Sequence, residues 1–274
     1  MLAQGRLDEA QKEFAALIAR EPANAEAHYR LGYVLGLQGS LDEARRHCEH
    51  ALALAPSHVD AICNRGFILL RQGNAEEAMA CYRQALALQP GHVKAEYNLA
   101  IVLLKQNRIP EAAAGLRRAL ALQPELVEAR FHLGNALVAL GHMDEAAACF
   151  RAVIAQRPDH AEAWVNLGNV LVDGGRLDEA VDCLRQAAAL RPDVAEAHYN
   201  FGIALLKQDR PREAEEAFRR ALVLRQDYVE AHYSLGLSLV KQGRAAEGIV
   251  AFDAALALRP DFPEAHSNRL LSLL

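Results

Sequence analysis

Aromatic and β-branched residues are scarce in this chain. Only 6% of its 274 residues are Phe, Trp or Tyr, with a single Trp, while Ala and Leu dominate and Val and Ile are sparse. That composition disfavours strands and favours helices, so the chain is expected to be nearly all α. Cysteine is short as well. Cys48, Cys63, Cys81, Cys149 and Cys183 form no Cys-x-x-Cys pair, and their odd number counts against a closed disulfide framework. Cys81, Cys149 and Cys183 fall at equivalent places along the chain and read as packing residues. No apolar run reaches 18 residues, and "MLAQGRLDEA" lacks the layout of a signal peptide. The sequence therefore reads as soluble and cytoplasmic, without a membrane partner. A net charge of -5 with no block of like charge gives no electrostatic footprint for nucleic acid.

What the sequence has in abundance is repetition, which decides architecture before any local assignment. Pro22, Pro56, Pro90, Pro124, Pro158, Pro192 and Pro260 fall on one 34-residue comb, with Gln226 in the missing place. A second comb holds Gly5, Gly39, Gly73, Asn107, Gly141, Gly175, Asp209 and Gly243. Every substitute for Gly there tolerates a left-handed backbone, so this comb predicts a tight turn in each repeat. Two helices, A and B, are expected between these marks. Helix A carries Gly or Ala at its middle (Gly32, Gly66, Ala100, Gly134, Gly168, Gly202, Gly236), and helix B carries Ala44 and its equivalents, which lets the pair approach closely. Pro110 and Pro211 fall in the first turn of a B helix, where a missing N–H costs nothing. Glu43, Glu77, Glu111, Glu145, Glu179, Glu213 and Glu247 share that turn and suit the helix dipole.

Stretches such as "AEAWVNLGNVLVDGGRLDEAVDCLRQAAALRPD" (161–193) carry Gly, Ala, Leu and Pro at the places that define the tetratricopeptide repeat, and the whole chain resembles that family. The resemblance implies an all-α, right-handed α-solenoid of stacked helix pairs whose A helices line an inner groove, each repeat burying its apolar face on its neighbours. Seven full repeats are expected at 25–262, preceded by the end of a helix A and a helix B at 1–24 and followed by the helix A of another at 263–274.

If the small residues of helix A face helix B, its second, fifth, sixth, ninth and thirteenth positions face the groove. Asn64, Asn98, Asn166, Asn200 and Asn268 stand at the sixth position, interrupted by Arg30, His132 and Ser234. An amide both donates and accepts, so it can pair with a peptide main chain whatever side chains that peptide bears. Helices packed about 8–10 Å apart and an extended chain rising about 3.3 Å per residue would bring one Asn to every third ligand residue or so. Tyr29, Tyr97, Phe131, Tyr199 and Tyr233 flank the ladder at the fifth position. The ninth is apolar in Tyr33, Phe67, Ile101, Ile203 and Leu237 but polar in Asn135 and Asn169, so the groove is expected to be greasier towards its ends. These side chains have a second reading, as packing between neighbouring A helices.

Acids at the second position and bases at the thirteenth suit the helix dipole and imply no charged ligand. Tetratricopeptide proteins that grip chaperone C-termini use a fifth-position Lys; no repeat here has a basic residue there. His28, His198, His232 and His266 share the fourth position with Trp164 and read as wedges between helices. "HCEH" (47–50) spaces two histidines as metal ligands could be, but its places are filled by unrelated residues in other repeats. No cofactor, metal site or catalytic constellation is expected. The leading reading is a scaffold for an extended peptide or partner protein. Two alternatives stay open. "PDFPEAHSNRLLSLL" (260–274) resembles the junction where the tetratricopeptide arm of O-linked N-acetylglucosamine transferases enters the catalytic region, which implies a substrate-recognition arm of a glycosyltransferase. The Leu-rich end (Leu270, Leu271, Leu273, Leu274) would also suit a solenoid that associates end to end with other copies.

Overall fold

The computed structural model describes residues 2–273, with side chains from Arg6 onward, so Leu274 lies outside the described residues. Sixteen helices follow one another among the described residues: α1 (Leu2–Arg20), α2 (Ala25–Gln38), α3 (Leu41–Leu54), α4 (Val59–Arg71), α5 (Ala75–Leu88), α6 (Val93–Lys105), α7 (Ile109–Leu122), α8 (Val127–Ala139), α9 (Met143–Gln156), α10 (Ala161–Asp173), α11 (Leu177–Leu190), α12 (Ala195–Lys207), α13 (Pro211–Leu224), α14 (Val229–Lys241), α15 (Ala245–Leu258) and α16 (Pro263–Leu271). Even-numbered helices are the A helices and odd-numbered ones the B helices, and the fold is an all-α solenoid. The chain divides into two units, 1–136 and 137–274, the boundary falling inside α8.

The turn comb is a backbone requirement. Gly39, Gly73, Gly141, Gly175 and Gly243 adopt φ between 72° and 89°, and Asn107 and Asp209 take the same left-handed region at 59°. Gly5 departs from this pattern: α1 is one helix from Leu2 to Arg20 that runs through Gly5, where a turn is expected. Glycine in a helix interior costs only about 1 kcal/mol relative to alanine, and continuing α1 through Gly5 adds one backbone hydrogen bond per residue.

Close approach within each pair explains the small residues of helix A. A Cβ added at Gly66 would lie 2.7 Å from the Tyr82 ring, at Gly202 2.6 Å from Phe218, and at Gly236 2.5 Å from Phe252. These rings are fully buried and fill the space the missing Cβ leaves. In unit 1, Leu31, Leu35, Cys48 and Ile68 make one cluster, with Phe14, Ile18 and Phe67 packed against it. In unit 2, Leu184, Leu205, Phe218, Leu235 and Leu239 make another.

The fourth position of helix A is a staple to the preceding loop. Trp164 Nε1 donates to the Pro158 carbonyl at 2.8 Å, and Arg130 donates to that of Pro124. His28, His198, His232 and His266 place Nε2 2.9–3.1 Å from the carbonyls of Pro22, Pro192, Gln226 and Pro260, six residues back in each case. Trp and Arg can only donate, so the matching geometry assigns the histidine proton to Nε2. The expected wedges are hydrogen-bonded clasps.

Candidate functional site

In unit 1, α2, α4 and α6 bring the fifth-, sixth- and ninth-position side chains around a hollow of about 250 Å³. Tyr29, Tyr33 and Leu37 line it from α2, Asn64 and Phe67 from α4, and Tyr97 and Asn98 from α6. Tyr33 and Leu37 are 42% and 43% exposed. Burial, reinforced by the nearby Asp60 carboxylate, pushes the Tyr29 hydroxyl up to about 12, and burial raises that of Tyr97. Among the described residues the hydroxyls of Tyr29, Tyr33 and Tyr97 make no hydrogen bond. Asn64 is only 5% exposed. Its Nδ2 donates to Cys48 Sγ at 3.1 Å, and its Oδ1 is buried without a partner. Asn98 is half-buried, with Nδ2 3.9 Å from Cys63 Sγ. Phe131 and Asn135 on α8 are half-buried, Phe131 edge-on to His132 at 5.8 Å between ring centroids.

In unit 2 the same positions are spent differently. Tyr199 packs between Phe218 and Tyr228, with ring centroids 5.9 and 4.9 Å away, and burial raises its hydroxyl beside the Ser234 side chain. Tyr233 packs between Phe252 and Phe262 at 5.8 and 4.9 Å and accepts from Asn268 Nδ2 at 2.8 Å. Asn166 and Asn200 are half-buried, and Asn169 is exposed. A smaller-walled hollow of about 290 Å³ beside Asn166 is lined by Ala161, Val165, Ala187 and Val194 rather than by rings. Asn98–Cys63 and Asn268–Tyr233 share one pattern: a sixth-position side chain reaches the fifth-position group of the preceding A helix.

Sequence reasoning missed the loop position just before helix A. His58, His92 and His160 place Nδ1 3.2–3.3 Å from the N–H of Ala61, Ala95 and Ala163, capping α4, α6 and α10. Nδ1 accepts there, so Nε2 carries the proton and faces the preceding repeat's second-position acid, Glu26 at 2.9 Å from His58 and Asp60 at 3.2 Å from His92. Later in the chain Tyr228 and Phe262 occupy this place and pack at a tilt against Tyr199 and Tyr233 instead. The acids there are held by Arg225 and Arg259, 2.6 Å from Glu196 and Glu230, and the Arg259 contact keeps the Glu230 carboxyl below its usual range. The recurrence of His at one place in the comb was the available signal. Second-position acids are thus consumed between repeats.

His28 and His47 meet at 3.1 Å through Nδ1, and His50 stacks on His28 at 4.9 Å. Among the described residues no group of three or more His, Cys, Asp or Glu side chains is arranged to hold a metal ion. Burial pushes the thiols of Cys48 and Cys63 up to about 12 and that of Cys183 to about 11, so none is a poised nucleophile. No described helix is long and apolar enough to cross a membrane.

Comparison with known proteins agrees with this geometry. A family model described as tetratricopeptide repeat matches residues 2–59, 64–127, 131–195, 166–228 and 199–263, and a second model of the same description matches 47–80. No curated protein matches the sequence. Among solved structures, YrrB, described as a TPR protein with an unusual peptide-binding site, is 28% identical with a TM-score of 0.57, over 67% of this chain and 95% of YrrB. MamA from Desulfovibrio magneticus RS-1 is 22% identical with a TM-score of 0.59, over 62% of this chain and 96% of its own. A tetratricopeptide repeat protein from Parabacteroides merdae is 16% identical with a TM-score of 0.60, over 91% of this chain and 99% of its own. The last two show the fold alone. Repeat after repeat, from residue 2 to residue 263, the chain belongs to the tetratricopeptide repeat family.

Proposed function

We propose that this chain is a non-catalytic scaffold that holds an extended polypeptide along the A-helix face of each unit. The observation that carries the reading is the row of partly exposed amides and rings at the fifth, sixth and ninth positions, above all the open hollow edged by Tyr33 and Leu37. The similarity to YrrB, whose description names a peptide-binding site, supports it. Asn98 in unit 1 and Asn200 in unit 2 are half-buried, so each can turn amide capacity towards a ligand main chain. Peptides selected from a random library on the intact chain supply the test. Replacing both Asn98 and Asn200 by Ala should weaken their binding by roughly 1–3 kcal/mol in total, with little change in thermal stability. Equal affinity in the double variant removes the amides from recognition, and a library that yields no binder sinks the reading.

The leucines of the last helix support a second reading, association between copies. Leu270, Leu271 and Leu273 are 61%, 66% and 59% exposed. Sedimentation of the chain against one ending at Asp261 decides it: equal monomers at high concentration eliminate association through α16.

A further inference from the structure

We propose that the hollow framed by α2, α4 and α6 is a socket for one bulky, uncharged apolar side chain of the bound polypeptide, leucine, methionine, phenylalanine or tryptophan. This rests on the peptide-binding reading and adds to it what the scaffold selects. Size comes first. At about 250 Å³ the hollow exceeds a cavity of roughly 150 Å³ that accommodates benzene, yet it falls short of the roughly 300–1,000 Å³ usual for cofactors and drug-sized ligands. It takes one large side chain.

The walls set the chemistry. Rings and aliphatic carbon from three successive A helices converge there: Tyr29, Tyr33 and Leu37, then Phe67, then Tyr97. An aromatic cage attracts cations when its ring faces are open, but here the protein's own cations already lie over two of them. Arg71 sits 5.8 Å from the Phe67 centroid and Lys94 6.0 Å from that of Tyr33. An incoming lysine or arginine would meet like charge. An incoming carboxylate would meet Asp60, which lines the same hollow and is held by His92 at 3.2 Å and Lys94 at 4.0 Å. Asp60 and Lys94 both line the hollow and already hold each other, so it has no unpartnered charge for an incoming ion, and an uncharged side chain remains.

Polar groups beside the socket suit the main chain that would carry this side chain. Asn64 lines the hollow with one amide atom on Cys48 and the other buried and unpaired; turning the amide over leaves the same vacancy in hydrogen bonding. Buried polar atoms are rarely left so, and a peptide N–H or C=O crossing the socket would complete it. The hydroxyls of Tyr29, Tyr33 and Tyr97, unbonded among the described residues, offer further partners, whereas that of Tyr233 is occupied.

The test uses the full 274-residue chain and a random 12-residue peptide library displayed on phage. Selected peptides should share one bulky apolar residue, and changing that residue to Ala in a synthetic copy should weaken binding about 10- to 100-fold. Tyr33→Ser and Leu37→Ser, both at exposed positions, should weaken binding to a similar extent with helicity and melting temperature unchanged, while Val223→Ser on α13 in unit 2 should leave it unchanged. A consensus of basic or acidic residues overturns the socket. So does binding that survives Tyr33→Ser and Leu37→Ser but falls with the Asn98 and Asn200 substitutions, and that outcome leaves the scaffold reading standing. No selectable peptide overturns both.

Discussion

Unit 1 and unit 2 place tyrosine at the same repeat position and give it different work. Tyr199 and Tyr233 in unit 2 are each packed between two rings, and the Tyr233 hydroxyl is hydrogen-bonded by Asn268 of the next A helix. Tyr29 in unit 1 touches His58 at 5.1 Å and its hydroxyl is unbonded, as is that of Tyr97 among the described residues. Neighbouring substitutions account for the difference. In unit 2 the B helix before α16 offers Phe252, which cannot accept a hydrogen bond, so Asn268 turns to the preceding tyrosine, Tyr233. In unit 1 Cys48 replaces the ring and its sulfur draws Asn64 away from Tyr29. A residue's role in a repeat is therefore set by the residues one repeat away as much as by its own identity.

Three measurements bear on that comparison. The largest effect is expected from truncation: Tyr199→Ala should cost about 2–4 kcal/mol, because it empties a space between two rings, whereas Tyr33→Ala on the exposed rim should cost less than about 1 kcal/mol. Chemical denaturation of the two variants that gave equal losses would erase the distinction. A smaller effect isolates the hydroxyl. Tyr233→Phe removes the acceptor of Asn268 and should cost roughly 0.5–1.5 kcal/mol, while Tyr29→Phe should change stability by only a few tenths, since no bond is lost. Measurable destabilisation by Tyr29→Phe would show that its hydroxyl is not free. The smallest effect is a pH dependence. Cys63 occupies the tyrosine position of its repeat, and burial raises its thiol to about 12 in the folded state against about 8.5 when unfolded. The native state holds that proton more tightly, so the stability it contributes is present below about pH 8.5 and is lost as pH rises towards 12. Cys63→Ala should flatten stability against pH over that window; an unchanged slope would remove the thiol from the linkage.

Several features of the chain were legible because they are enforced locally. The left-handed turns follow from the absence of a Cβ at Gly39 and Gly73, and the short polar side chains of Asn107 and Asp209 tolerate the same φ. Pro110 and Pro211 open B helices, as their missing N–H requires. The groove was legible only as a set of positions. Tyr97 and Tyr233 are indistinguishable in the sequence pattern, yet one faces an open hollow and the other is packed against Phe262, a loop residue whose part in the face no periodicity announces. Asn64 and Asn268 share a rung of the expected ladder, and one is buried on a sulfur while the other bonds a phenol.

By itself the sequence determined the helices, their pairing and the surface each A helix presents, because a 34-residue period fixes which residues can lack a Cβ, which must turn and which must be buried. Only the tertiary structure decided which of the presented groups remain available to a partner. Hydrogen-bond capacity and apolar surface are consumed by whatever lies within a few ångströms, and those neighbours come from adjacent repeats some 30 residues away, where a single change such as Cys48 for a ring redirects them.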